Sequence, residues 1–308
     1  MQELIPKIDR AILRKELNEE RLLRKTNFGK NEIYVIDDNN APHVMQELGR
    51  LREVTFRESG GGTGKSTDID AYDLGDNPFQ QLLVWNPEDE EIVGGYRFML
   101  GKDLEIDQKG NVKTPTSKLF HLSEEFVKEY LPATIELGRS FVQPNYQPTK
   151  NVRKGIYSLD NLWDGLGAIS VQNSNIKYLF GKITMYTHTN LMAREAIMYF
   201  LNTFFPDPDK LVYPYQPVEL HHDPKEFEQI FTGSTYEENH KTLQHFIRGK
   251  NETIPPLVNA YMNLSSTMKT FGTSVNKNFG DVEETGIMVT VADIYKEKRE
   301  RHLTNIEK

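Results

Sequence analysis

The chain has 308 residues, a formal net charge of −8 and no cysteine. That length is enough for a large core in one enlarged domain or two, and one is favoured. The missing cysteines exclude a disulfide framework, thiolate zinc and a thiol nucleophile, and the acidic balance gives a nucleic-acid partner no support at the level of the whole chain.

The start, MQELIPKIDR, lacks the apolar stretch of a signal peptide, and no run of 18 apolar residues predicts a membrane-spanning helix. Ile8, Ile12 and Leu13 make a narrow stripe that predicts a helix from Ile8 to Arg24, part of a packing arm over residues 1–30. EIYVI, Glu32 to Ile36, reads as a strand. In the following DDNNAPHVMQELGRLREVTF, Asn40 is a plausible cap, Pro42 lies in the first turn, and Val44, Leu48, Leu51 and Thr55 share one face.

SGGGTGKSTDIDAYDL ends like a phosphate-binding loop at Gly64, Lys65 and Ser66. The glycine required five residues earlier is Ser59, and the segment follows a helix and runs into Asp68, Asp70 and Asp73. No nucleotide site is expected; a mobile glycine-rich loop over a site is. Gln81 to Asn86 and Ile92 to Leu100 predict a hairpin whose second strand carries Arg97. Ser123 is expected to cap a short helix with Glu124 and Glu125 in its first turn.

Ala133 to Gln147, ATIELGRSFVQPNYQ, begins as a strand with Ile135, Leu137 and Phe141 alternating, and carries Glu136 and Arg139 before stopping at a proline. The residues alone leave open an edge strand with both charges in water. Next, QPTKNVRKG places Lys150, Arg153, Lys154 and Gly155 ahead of a helix from Ile156 to Ala168, a basic turn suited to an anion. Ile176 to Met185 reads as a strand. Ala193, Ala196, Ile197, Phe200, Leu201 and Phe204 form a core stripe of a helix ended by Pro206. DPKEFEQIF, EENHKTLQHFIRG and PPLVNAYMNL predict helices, and GIMVTVADI a closing strand before a charged tail. The expected divisions are the arm, a core over 31–205, and an insertion with a helix and strand over 206–308 that completes the same domain.

These pieces resemble the GNAT-superfamily acyltransferases that make N-acylated amino acids, of the ornithine-lipid and glycine-lipid type, related to acyl-homoserine-lactone synthases. The matching residues are Arg52 and Phe56 in LREVTF, the acids of TDIDAYD, Arg97 in VGGYRFM, Glu136 and Arg139 in ELGRSFVQPNY, and PPLVNAYMNL with NFG. The resemblance implies an α/β (α+β) fold with a mixed, mostly antiparallel sheet, helices on its flanks, and one splayed parallel pair, the strands of Glu136 and Tyr178. It implies an N-acyltransferase in aminolipid synthesis. Alternatives are an acyl-homoserine-lactone-type synthase and a non-catalytic module that docks a carrier protein or a membrane acyltransferase.

An amino-acid acceptor is a zwitterion, and Arg52, Arg97 and Arg139 with Asp68, Asp70 and Asp73 supply both charges to meet it, with Phe56 beside them. Its ammonium must lose a proton before attack; Glu136 is the candidate base, with a salt-bridge partner of Arg139 or Arg97 as the competing role. The resemblance implies no tightly bound cofactor and an acyl-phosphopantetheine thioester as co-substrate, on acyl-carrier protein in preference to coenzyme A. Gln147 and the missing second glycine of RKGIYS depart from the usual coenzyme A loop. Val142, Lys150, Arg153, Lys154, Gly155 and Tyr178 are the donor-side candidates, and Lys150, Arg153, Lys154, Lys177 and Lys182 the basic face for an acidic carrier.

A membrane O-acyltransferase acting on the product is a further expected partner, and the expected location is the cytoplasm, peripheral at the inner face of the membrane. No metal site is expected, since the adjacent His221 and His222 should point apart. No histidine has an aspartate five positions on, and no G-x-S-x-G occurs, which excludes glycerolipid acyltransferase and serine hydrolase chemistry.

Overall fold

The computed structural model describes residues 1–303. In chain order its main elements are α1 (Arg10–Glu16), β1 (Leu22–Lys25), β2 (Glu32–Ile36), α2 (Pro42–Glu58), β3 (Gln80–Asn86), β4 (Glu91–Leu100), β5 (Phe120–Leu122), β6 (Thr134–Val142), α3 (Val152–Gly155) and α4 (Ser158–Gln172). These are followed by β7 (Tyr178–Met185), α5 (Leu191–Phe204), β8 (Val212–Pro214), α6 (Pro224–Ile230), α7 (Tyr236–Gly249), α8 (Pro256–Met262), β9 (Lys269–Asn276), β10 (Val282–Thr290) and α9 (Lys296–His302). The class is the expected one, mixed α/β with mostly antiparallel strands flanked by helices. Two compact units divide the described residues, one of 1–103, 135–176 and 295–303, the other of 104–134 and 177–294.

In the first unit β1, β2, β3, β4 and β6 lie side by side in that order, every pair antiparallel. Strands β3 and β4 are buried along nearly their whole length, as expected of a sheet covered on both faces. Helix α2 covers one face: a Cβ on Gly95 would lie 3.6 Å from a Leu48 methyl. Helix α4 covers the other, so close that a Cβ on Gly165 would lie 2.5 Å from Leu82.

The expected arm helix is half helix and half strand: α1 stops at Glu16, and Leu22–Lys25 pairs with β2. Beyond Leu17 the turn of Asn18 to Arg21 breaks the stripe, and burying Leu13 and Leu17 is all that α1 is long enough to do. Asn40 is not the cap of α2. That place is Ala41, and the orphan N–H groups of His43 and Val44 donate instead to the Glu16 carboxylate, at 3.3 and 2.8 Å.

The glycine-rich segment wraps an anion of its own. The Glu53 carboxylate accepts from Thr63 N at 3.0 Å, Thr63 Oγ1 at 2.8 Å, Gly64 N at 2.7 Å and Arg57 Nε at 2.8 Å. Burial pushes its carboxyl up, but these hydrogen bonds outweigh that and hold it below the usual range. Two backbone hydrogen bonds join the loop to the N-terminal segment: Gln2 N donates to Gly64 O at 2.8 Å and Ile5 N to Ser66 O at 3.2 Å.

In the second unit β7, β10 and β9 form an antiparallel sheet, and β5 pairs with β8 in a separate ribbon. The apolar stripe of α5 is buried except at Phe204, and Phe126, Phe180 and Phe271 pack ring against ring. Ser123 caps as expected, its Oγ accepting from Phe126 N at 3.0 Å.

The histidine pair does the opposite of what was expected. His221 and His222 lie in a bend, and both Nδ1 atoms and both backbone N–H groups converge on the buried Glu195 carboxylate of α5, at 2.6 to 3.0 Å. Against the upward push of burial, these four bonds pull the Glu195 carboxyl to about 2. Among the described residues no group of three or more histidines, aspartates or glutamates is placed to hold a metal.

Because Glu53 occupies the place a phosphate would take, ATP or GTP should leave the melting temperature unchanged. Glu53→Gln should lower stability by about 1–3 kcal/mol, since buried N–H groups lose an ionised acceptor. A nucleotide-dependent rise in melting temperature abolished by Lys65→Ala would overturn this.

Candidate active site

Three strands bring one row of residues together. Gln81 on β3 is directly opposite Arg97 on β4, which is opposite Gly138 on β6. Side chains two apart on a strand share a face, so Glu136 lies on the same face as Gly138. Glu136 is 2% exposed, which removes the alternative of an edge strand with this charge in water. Helix α2 lays Arg52 over the row, its guanidinium donating to Gln81 Oε1.

The strand β6 is bulged there. Arg139 and Ser140 together face the single residue Tyr96, and Arg139 takes a φ of +49°, a left-handed conformation that side chains other than glycine rarely adopt. The bulge re-aims Arg139, whose Nε reaches Asp68 at 2.7 Å and whose guanidinium lies 3.6 Å from Asp70. Beside it, a Cβ built on Gly138 would meet no heavy atom within 4 Å, so this face has room next to Arg97 and Glu136.

The arginines and aspartates of the sequence reading are partnered with one another. Asp73 sits 3.4 Å from Arg52 and 3.1 Å from Arg97, and Asp70 lies 2.8 Å from Arg97. Arg52 and Arg97 are 0% and 1% exposed, an arrangement affordable only for paired charges. Burial pushes the Asp70 carboxyl up, but Arg97, Arg139 and the Tyr72 N–H outweigh it and hold it at about 2. Asp73 is likewise held low by Arg97 and Arg52 against burial. Burial lowers the affinity of Arg52 for its proton despite Asp73 and Asp68, whereas for Arg97 the aspartates prevail over burial and raise it.

Gln81 was missed from sequence, although it holds the centre. Its Nε2 donates to Asp73 Oδ1 and to Phe79 O, both at 3.0 Å, while its Oε1 serves Arg52. The only signal available was a wholly polar side chain opening an apolar strand. The Arg97 guanidinium also lies over the rings of Tyr72 and Phe79, at 5.7 and 5.6 Å.

Phe56 is buried edge-on to Phe141, with centroids 6.4 Å apart, and packs the core beneath this row. Val142 closes β6 opposite Gly94. Lys150 pairs with Glu58 at 2.5 Å, and Lys154 with Asp89 at 2.6 Å above the Tyr146 ring. Arg153 is exposed, and Gly155 is a packing glycine, since a Cβ there would fall 2.4 Å from Pro148 N. Tyr178, Lys177 and Lys182 belong to the second unit. Lys182 is no surface cation: it is largely buried, 3.4 Å from Glu284 and bonded to Pro115 O.

Arg52, Arg97, Asp73 and Glu136 are thus buried together, with a small open place beside them at Gly138. A family profile described as Acetyltransferase (GNAT) domain matches residues 51–154, the stretch from Leu51 through this row to Lys154. A glycine N(alpha)-acyltransferase of Phocaeicola vulgatus is 52% identical over 308 residues, covering all of this chain and 94% of that protein. One of Bacteroides thetaiotaomicron is 52% identical over 303 residues, covering 98% of this chain and 90% of that protein. Among solved structures, a CoA-dependent acyl-homoserine lactone synthase is a distant likeness, 12% identical with a TM-score of 0.37 over 88% of this chain and 86% of its own.

The chain therefore belongs to the GNAT acyltransferases. Within them it is a member of the family of those two relatives, an N-acyltransferase.

The depressed Asp70 carboxyl sets an acid limit. Its contribution to stability is complete above the unfolded carboxyl value, about 3.9, and is lost as pH falls towards its folded value, about 2. Wild type should therefore melt above Asp70→Asn at neutral pH, with the gap closing through that acid range. A gap that stays constant down to the lowest pH at which both fold would mean that Asp70 is not ionically held.

Proposed function

We propose that this enzyme moves a long (3-hydroxy)acyl group from an acyl-carrier-protein thioester to the amino group of glycine, as a step of aminolipid synthesis. The observation that carries the reading is the row Gln81–Arg97–Gly138 with Glu136 beside it and open volume at Gly138. Open space at a glycine, beside a guanidinium and a carboxylate, suits a small acceptor. The names of the two relatives point to glycine.

In the proposed reaction Glu136 takes a proton from the glycine ammonium, directly or through water. The freed amine attacks the thioester carbonyl, a C–N bond forms, the C–S bond breaks, and the pantetheine thiol leaves with a proton. Catalysis beyond the base is positioning. Arg52, Arg97 and Arg139, fixed by Asp68, Asp70 and Asp73, orient the acceptor, and Phe56 keeps α2 seated on the sheet.

On the donor side the reading keeps Val142, and acidic carrier protein docks on Lys150 and Lys154. Lys150 and Lys154 would exchange Glu58 and Asp89 for carrier carboxylates. The enzyme works in the cytoplasm at the inner face of the membrane and hands its product to a membrane O-acyltransferase. No helix among the described residues is long and apolar enough to cross a membrane.

Two substitutions test this reading, with N-acylglycine formation followed by mass spectrometry. Glu136→Gln should lower turnover about 10²- to 10⁴-fold with little change in melting temperature, and the deficit should shrink at higher pH, where more acceptor amine is already deprotonated. An undiminished rate would remove Glu136 as base; a collapse in stability would make it a structural partner instead. Gly138→Val should fold, since a side chain there meets open space, yet raise the KM for glycine at least tenfold, about 1.4 kcal/mol of lost acceptor binding. A Gly138→Val enzyme with unchanged KM would show that the acceptor lies elsewhere.

A further inference from the structure

Away from the charged row, the first unit displays apolar side chains that it has the means to bury and does not. Phe28 is 49% exposed, Val152 69%, Ile156 58% and Tyr157 36%. They form one strip. Ile156 N donates to Val152 O at 3.1 Å, which sets these two side chains one helical turn apart on a common face. Tyr157 adjoins Ile156 and stacks on Phe28, with centroids 5.5 Å apart and planes 18° from parallel.

The turn that presents Phe28 is firmly built. Asn161, fully buried in α4, donates to Phe28 O at 2.9 Å and accepts from Asn31 Nδ2 at 2.8 Å. Asp164, also on α4, accepts from Asn27 N at 3.0 Å and Asn27 Nδ2 at 2.9 Å. The backbone is thus locked to the core while the ring is held outside it.

Cations rim the strip. Arg153 adjoins Val152, exposed Lys30 follows Phe28 by two residues, and the Arg301 guanidinium lies 5.5 Å over the Phe28 ring while pairing with Asp160. Arg301 is offset by Asp160, whereas Lys30 and Arg153 pair with no carboxylate among the described residues.

We propose that this strip is where the enzyme rests on an anionic lipid bilayer, with Phe28, Val152, Ile156 and Tyr157 entering the interface and Lys30, Arg153 and Arg301 meeting lipid phosphates. Aliphatic tips, a stacked aromatic pair and a basic border together are the combination that an interface between headgroups and acyl chains accommodates. The inference rests on the proposed function in one respect: an N-acylated amino acid with a long chain is an amphiphile, and a bilayer at the enzyme's surface gives it somewhere to go.

Co-sedimentation tests it, using the full chain with vesicles of phosphatidylcholine alone or mixed with phosphatidylglycerol. Wild type should pellet with the anionic vesicles and be released by high salt. The double variant Phe28→Ser, Ile156→Ser and the single variant Lys30→Glu should each bind about tenfold more weakly, with unchanged melting temperatures. Equal binding by wild type and the double variant overturns the proposal. So does a wild type that ignores vesicles but loses affinity for acidic carrier protein in the double variant, which would assign the strip to the carrier.

Acylation of glycine from a soluble thioester, assayed on the same preparations without vesicles, separates the two readings. An active enzyme that ignores vesicles loses the bilayer surface and keeps the function. A protein that binds vesicles through the strip and acylates nothing keeps the surface and loses the function.

Discussion

Everything at the centre of the first unit depends on one carboxylate, Asp73, lying between two buried guanidiniums. Arg52 comes from a helix, Arg97 from a strand, and Asp73 from the loop between α2 and the hairpin; Gln81 serves Arg52 and Asp73 at once. An isolated guanidinium at this depth would cost many kcal/mol, and its attraction to a partner offsets that only when the remaining hydrogen-bonding positions are also met. The helix, the hairpin and the acidic loop are therefore held to one mutual geometry. A shift of any of them would separate charges in a medium that barely screens them. Hydrophobic packing of α2 through Val44, Leu48 and Leu51 brings the helix to the sheet, and the ion lattice decides where along the sheet it stops.

The bulge in β6 extends that lattice to a third arginine. A regular strand alternates its side chains, and without the extra residue Arg139 would not turn towards Asp68 and Asp70. The left-handed backbone at Arg139 costs free energy that a glycine would not, and two carboxylates offset it. The glycine is instead one residue earlier, where it leaves space. Reversing the two would relieve the backbone and close the site. Strain at Arg139 and emptiness at Gly138 are parts of one arrangement.

Much of this was legible in the residues, for reasons that differ by element. The β3–β4 hairpin and the core helix α5 declared themselves through long apolar runs with clean periods. Arg97, Glu136 and Arg139 were visible as charges inside apolar strands, and Asp68, Asp70 and Asp73 beside a glycine-rich loop. Strands β5, β8 and β9 were not: two are only three residues long, and β9, KTFGTSVN, is half polar with a left-handed glycine in its middle. Strand β1 hid inside a helical pattern because pairing with β2, a tertiary contact, overrode local preference. His221 and His222 were misread because the alternation of a strand was assumed, whereas a bend lets neighbours converge on Glu195. Lys182 read as a surface cation because no sequence pattern shows that Glu284, about a hundred residues on, comes within 3.4 Å of it on the neighbouring strand.

From sequence, the arginines and aspartates looked like two poles waiting for the two ends of a zwitterion. The structure pairs them: Arg52 with Asp73, Arg97 with Asp73 and Asp70, Arg139 with Asp68 and Asp70. Three guanidiniums and three aspartates sum to no net charge, so the lattice compensates itself before any substrate enters. Pairs fixed from several elements cannot turn to follow a ligand without separating charges at a depth where little screens them. Their consequence for the site is therefore positional: they set where β6 carries Arg139, and with it the open place at Gly138, relative to Arg97.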